Sequence, residues 1–247
     1  MNYDGLTEGY WTNQRVRIER LHQKIVAREG SSAGRVVPDD EDLAIGDGRR
    51  LMLAVLFLDI SGFSDRRSAT MEDQELMRRA LNLFFTEMMK IAEDYGATVE
   101  KNTGDGLMAY FETTGDQAAG KRALTCAMTM MVTNDFLISP IMRASGVTPF
   151  EFRISIDYGL VTVARLGAAR RFNAIVAIGA TANFASKMLA KANPGDIVLG
   201  AEAARQIPEA WQRLHVEIAA AETGWIYVAT GEPYLLYRYV GRWSRLT

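Results

Sequence analysis

Leu51-Met52-Leu53-Ala54-Val55-Leu56-Phe57-Leu58 is an unbroken run of eight apolar residues that stops at an acid, Asp59. A strand with one wet face would alternate apolar and polar residues, and a surface helix would keep a polar stripe. A short continuous run therefore reads as a central strand covered on both faces. Such a strand needs layers around it, which the chain of 247 residues, 48% hydrophobic, is long enough to supply. The same run is far short of the roughly 20 residues that span a bilayer. A formal net charge of −2 argues against a dedicated nucleic-acid binder, which needs surplus Lys and Arg to neutralise phosphates. The single cysteine, Cys126, cannot form an internal disulfide, and no Cys/His cluster is spaced for zinc. The first residues, MNYDGLTEGYWTNQRVRIERL, carry acids and no apolar core, unlike a secretory leader. The expectation is a cytosolic chain with neither membrane nor nucleic acid as partner.

Around that strand the elements alternate. Residues 1–50 read as a helix, Trp11 to Arg28, and an extended arm, Glu29 to Arg50. Residues 51–199 read as one α/β core. Met71 to Tyr95 is predicted as a helix with an apolar stripe of Leu76, Ala80, Leu83, Phe84, Met88, Ile91 and Tyr95, closed by Gly96. Thr98 to Asn102 and Leu107 to Phe111 flank Thr103-Gly104-Asp105-Gly106 as a hairpin. Gln117 to Leu137 is the next helix, Phe150 to Tyr158 and Gly159 to Leu166 two strands, and Ala180 to Ala192 a third helix. The order β-α-β-β-α-β is that of a ferredoxin-like α+β core with additions. Residues 200–247 complete the domain with a short Ala-rich helix and a hairpin of Gly224 to Thr230 and Tyr234 to Val240.

Two carboxylates sit at strand ends. Asp59 closes the buried run and is followed by Ile60-Ser61-Gly62-Phe63-Ser64; Asp105 lies in the tight Gly104-Asp105-Gly106 turn. Either one alone reads as a strand-end or hairpin residue. If the first strand and the hairpin are neighbours, both acids reach one corner, where a divalent cation would relieve their repulsion. Hard oxygen ligands beside phosphates favour Mg²⁺ or Mn²⁺. Gly62 would let the backbone turn close to a triphosphate and present N–H groups to it.

Three segments, Phe57-Leu58-Asp59-Ile60-Ser61-Gly62-Phe63-Ser64, Asn102-Thr103-Gly104-Asp105-Gly106-Leu107-Met108-Ala109 and Ile178-Gly179-Ala180-Thr181-Ala182-Asn183-Phe184-Ala185-Ser186-Lys187-Met188, resemble the signature segments of class III nucleotidyl cyclases. The resemblance runs in order from Leu51 to Leu199. It implies a homodimer with active sites at the subunit interface and conversion of a nucleoside triphosphate to a 3′,5′-cyclic nucleotide and pyrophosphate. It further implies that Asp59, Asp105 and the Ile60 carbonyl hold two divalent metal ions, and that the amides around Gly62, Phe63 and Ser64 contact the triphosphate. Phe63 can equally be a core aromatic. The partner would supply Asn183 to orient the ribose. Four residues on, where the family carries a transition-state arginine, stands Lys187. The i, i+4 spacing places the two on one helix face, but lysine lacks the bidentate fork. Arg170 and Arg171 either compensate or belong to a solvated loop.

Two family positions read the base. The first is Lys101, as in adenylate cyclases; guanylate cyclases have glutamate there, which accepts from guanine, whereas an ammonium only donates. The second is Val176, where adenylate cyclases carry an acceptor for the adenine amine; valine offers none. A donor without an acceptor suits uracil, which is rich in carbonyls. This pattern and the short N-terminal arm resemble the stand-alone pyrimidine cyclases of bacterial Pycsar anti-phage systems, implying UTP as substrate and cyclic UMP as an alarm signal. Cyclic AMP, cyclic CMP and a non-catalytic cyclase-like module are the alternatives.

Overall fold

The computed structural model describes residues 32–33, 47–66, 69–102, 104–169 and 172–243. The expected helix Trp11 to Arg28, and Arg170 and Arg171, lie outside these. The chain divides into two units, one of Met1–Leu51 with Thr162–Ile178 and the other of Met52–Val161 with Gly179–Thr247.

In the larger unit the apolar run folds as predicted. Strand β2 (Gly48–Ile60) is buried from Leu53 to Leu56 and at most positions around them, with Arg50 and Met52 exposed near its start. Helix α1 (Met71–Asp94) begins with a capping box in which Thr70 and Asp73 satisfy each other's backbone N–H, and ends at Tyr95 before Gly96. Its buried face is Ala80, Phe84, Phe85, Met88, Ile91 and Ala92. Leu83 of the expected stripe stays 37% exposed, because the face is centred on Phe84, Met88 and Ile91 and takes in Phe85 and Ala92 on its other side. Strands β3 (Thr98–Asn102) and β4 (Gly106–Phe111) form the predicted hairpin, with a bulge between Val99 and Lys101. Helix α2 (Ala119–Thr133) continues through a π turn, Asn134–Ile138, into α3 (Ser139–Ala144), seven residues past the expected end at Leu137. This stretch, Ala119–Ala144, is long and apolar enough to cross a membrane by length and composition, but more than half of its most apolar window is buried in the fold.

One long strand replaces two expected ones. Strand β5 (Phe152–Ala169) passes straight through Gly159, where the sequence divides it into two strands. A side chain at Gly159 would run into Thr181, 2.5 Å from where its Cβ would lie, so this glycine permits close packing instead of a strand break. Helix α4 (Ala180–Met188) ends in a 3-10 turn, Leu189–Lys191, and β7 (Ile197–Gly200) pairs parallel to β5 with Ile154 opposite Ile197. The terminal hairpin also differs. Strand β8 (His215–Ile218) pairs with β9 (Leu236–Tyr239), whereas residues 224–230 make only an isolated bridge, Ile226 to Pro233. Ile226 and Val228 are 52% and 97% exposed, while Trp225 and Tyr227, alternating with them, pack against the smaller core cluster, so this apolar run is covered on one face only.

The larger unit's strands follow the order β3-β4-β2-β5-β7-β9-β8. Its first four elements give the ferredoxin-like arrangement: in chain order the strands run second, third, first, fourth. Ala54, Leu56, Leu58, Leu107, Ala109, Phe111, Phe152, Ile154 and Ile156 pack with α1 and α2 into the main core. In the smaller unit β1 (Ser32–Ala33) pairs parallel to the start of β2, and β6 (Phe172–Ile178), a strand the sequence reading did not separate, pairs antiparallel with the later half of β5.

Candidate active site

The register of β2 against β4 places Asp59 opposite Gly106, next to Asp105. The Ile60 N–H donates to the Asp105 carbonyl at 2.9 Å, tying the two strand ends together. Asp59 and Asp105, both half-buried, thus meet at the corner that the sequence predicts. The donor set is carboxylate and carbonyl oxygen, which suits a hard divalent cation. Among the described residues no group of three or more His, Cys, Asp or Glu gathers as a metal site, so the corner offers two carboxylates and backbone oxygen.

A residue not foreseen from the sequence shares this corner. Arg153 on β5 donates to Asp59 Oδ2 through Nε at 3.0 Å and through its terminal nitrogen at 2.9 Å. The pair is partly exposed, at 30% and 25% of the side-chain surfaces, so its own stabilisation is small. Its importance is geometric: the guanidinium, donating from two nitrogens, holds the Asp59 carboxylate in one orientation.

Beyond Ile60 the chain bends. The Ser61 N–H donates to the Glu151 carbonyl at 2.8 Å, and Gly62 takes φ +62°, the left-handed region that glycine enters without strain. Phe63–Asp65 then forms a single 3-10 turn, whose leading amides have no partner within the turn itself. Arg66 anchors this bend by donating to the carbonyls of Thr148 and Pro149, both at 2.8 Å, while lying 4.5 Å above the Phe150 ring. Gly62 and Ser64 are exposed, whereas Phe63 packs against the main core, which favours the packing role for that ring.

Asn183 and Lys187 lie on α4, both exposed, while Thr181, Ala182, Ala185 and Met188 face inward. The helical spacing therefore presents the pair together to the outside. Lys101 lies on β3 opposite Met108, just past the bulge. Val176 belongs to the smaller unit, where it pairs with Ala164 on β5 and is half-buried.

A second polar group missed by the sequence reading is buried behind α4. Asp157 is 2% exposed and accepts a hydrogen bond from the Tyr234 hydroxyl. Burial pushes its carboxyl up to about 6, against the hydrogen bonds from Tyr234 and the Tyr158 amide that favour the charged form. The available signal was the alternation Arg153-Ile154-Ser155-Ile156-Asp157, a strand with one apolar and one polar face.

Comparison with known proteins bears on the family and the fold. Residues 49–231 match the family model described as the adenylate and guanylate cyclase catalytic domain. An adenylate cyclase of Anabaena cylindrica is 28% identical over 148 residues, which is 60% of this chain. The match spans only 29% of that relative, under a third of its length. Among solved structures, the adenylyl cyclase CyaB from P. aeruginosa is 28% identical with a TM-score of 0.64, covering 81% of this chain and 99% of that one. The guanylyl cyclase Cya2 shares the fold at 21% identity and a TM-score of 0.66, covering 79% and 94%. The chain belongs to the adenylate and guanylate cyclase family and carries a class III nucleotide cyclase catalytic domain.

Proposed function

We propose that this cyclase converts UTP to 3′,5′-cyclic UMP and pyrophosphate at two sites on a homodimer interface, with a divalent metal pair, Mg²⁺ or Mn²⁺. The observation that carries the chemistry is the corner where β2 and β4 bring Asp59 beside Asp105. Asp59, Asp105 and the Ile60 carbonyl would hold the ions. When bound, these would supply positive charge that acidifies the ribose 3′-hydroxyl and neutralises the phosphates. The bend at Gly62 to Ser64 would receive the triphosphate, and Arg153 would balance its charge alongside Asp59. From the partner subunit, the exposed face of α4 would contribute Asn183 to orient the ribose and Lys187 to place positive charge on the transferring phosphoryl group. Catalysis here is positioning and charge stabilisation. A lysine in place of an arginine keeps the charge and gives up bidentate contact.

Base choice rests on Lys101, a donor, and Val176, which offers no acceptor. Uracil presents two carbonyls to a donor, whereas adenine and cytosine present an amine that valine cannot satisfy. With this reading goes a role for cyclic UMP as a signal in anti-phage defence, supported by the resemblance to Pycsar cyclases. ATP is the second reading, favoured by the 28% identity to two adenylate cyclases.

Lys101→Glu tests the assignment. A carboxylate repels uracil carbonyls and accepts from guanine, so kcat/KM for UTP is expected to fall at least ~10-fold while that for GTP rises relative to it. Steady-state rates with each triphosphate check this; an unchanged UTP rate would show that Lys101 does not read the base.

A further inference from the structure

Strand β5 alternates two faces. Phe152, Ile154 and Ile156 enter the main core, and Arg153, Ser155 and Asp157 lie between them on the opposite side. Each polar residue holds a different part of the site. Arg153 pairs with Asp59 at the acid corner. Ser155, fully buried, donates from Oγ to the Ala185 carbonyl of α4 at 2.6 Å. Asp157 accepts from the Tyr234 hydroxyl, and a buried carboxylate is costly without such a partner.

Tyr234 leads back to α4. Its ring, 4% exposed, lies parallel to the Phe184 ring, with centroids 5.2 Å apart and planes within 1°. Tyr227 packs on the Tyr234 ring at 4.9 Å, and Trp225 meets Phe184 at 5.5 Å. Phe184 directly follows Asn183. The nine-residue helix is therefore held at three places: Thr181 Oγ1 donating to the Leu160 carbonyl at 3.3 Å, Ser155 on Ala185, and Phe184 on Tyr234. The first two fix its inner side. The third lies beside the residues it exposes.

We propose that Asp157 and Tyr234 are positioning residues for Asn183: their hydrogen bond fixes the Tyr234 ring, and the Phe184 ring stacked on it fixes the rotation of α4 about its axis. Neither touches substrate; they act through Phe184. The inference rests on the reading that Asn183 orients the ribose. A helix rotation of about 10° moves a side-chain tip about 6 Å from the axis by about 1 Å. Misplacement by 1 Å at a reacting centre costs up to ~100-fold in rate.

Tyr234→Phe removes the hydroxyl and keeps the ring. Asp157→Ala removes the acceptor, and Asp157→Asn keeps a carbonyl oxygen for the same hydroxyl. Initial rates are measured against concentration of whichever triphosphate the wild-type protein turns over fastest, alongside thermal melting and an Asn183→Ala control. Tyr234→Phe is expected to lower kcat about 10-fold with KM changed less than about twofold, and Asp157→Asn to recover most of the rate that Asp157→Ala loses. If Asp157→Ala does not fold, Tyr234→Phe and Asp157→Asn decide the matter. Should Asn183→Ala be inactive and Tyr234→Phe match the wild type, the positioning role falls and the cyclase reading stands. Should Asn183→Ala be fully active, the role of Asn183 falls and this inference with it.

Discussion

Replacing Asp59 or Asp105 with alanine is expected to lower cyclic-nucleotide formation about 10³-fold or more while leaving the fold intact, since charge stabilisation at a transferring phosphoryl group acts on that scale. Both side chains sit at strand ends and are half-buried, outside the apolar core. Neither variant opens a cavity among the packed side chains, so the large destabilisation of core truncations does not apply. Asp59→Ala leaves Arg153 without its carboxylate, but that pair is partly exposed and its loss costs about 1 kcal/mol or less. Rates with saturating Mn²⁺ and a thermal melt of each variant separate lost chemistry from lost structure. A variant that keeps a tenth of the wild-type rate would sink the assignment of that carboxylate to the metal pair.

Mixing two inactive variants is the second large effect. If one protomer supplies Asp59 and Asp105 and its partner supplies Asn183, then Asp59→Ala and Asn183→Ala are each inactive alone and active together. Random pairing makes half of the dimers mixed, each with one intact site, so the mixture recovers about a quarter of the wild-type rate. The exposed, outward presentation of Asn183 and Lys187 on α4 is what such sharing requires. A mixture that stays inactive, with mixed dimers present by mass spectrometry of intact complexes, would show that each site is built within one chain.

The acid corner was legible because its parts are local. A continuous apolar run ending in Asp59 makes a central strand, and Gly104-Asp105-Gly106 makes a hairpin turn; pairing then brings the acids together. Helix α1 was legible from its period and cap, and only the centre of its buried face shifted, by one residue, away from Leu83. What could not be read were contacts between distant segments. Arg153 meets Asp59 across 94 residues of sequence, and Asp157 meets Tyr234 across 77. Local pattern marks those residues as the polar face of a strand but does not say what they touch. The strand boundary expected at Gly159 is absent for a related reason, because glycine serves both strand breaks and close approaches, and only the position of Thr181 decides between them. The run around Val228 shows the converse, strand-like composition that forms only an isolated bridge, with Ile226 and Val228 left exposed.

The choice of base follows from Lys101 and Val176. Incubating the purified protein with Mn²⁺ and ATP, GTP, CTP or UTP in separate reactions, then resolving the products by chromatography, tests it most directly. Cyclic UMP is expected as the dominant product, with pyrophosphate in equal amount. Cyclic AMP or cyclic GMP as the main product, or no cyclic product from UTP, would overturn the uridylate assignment.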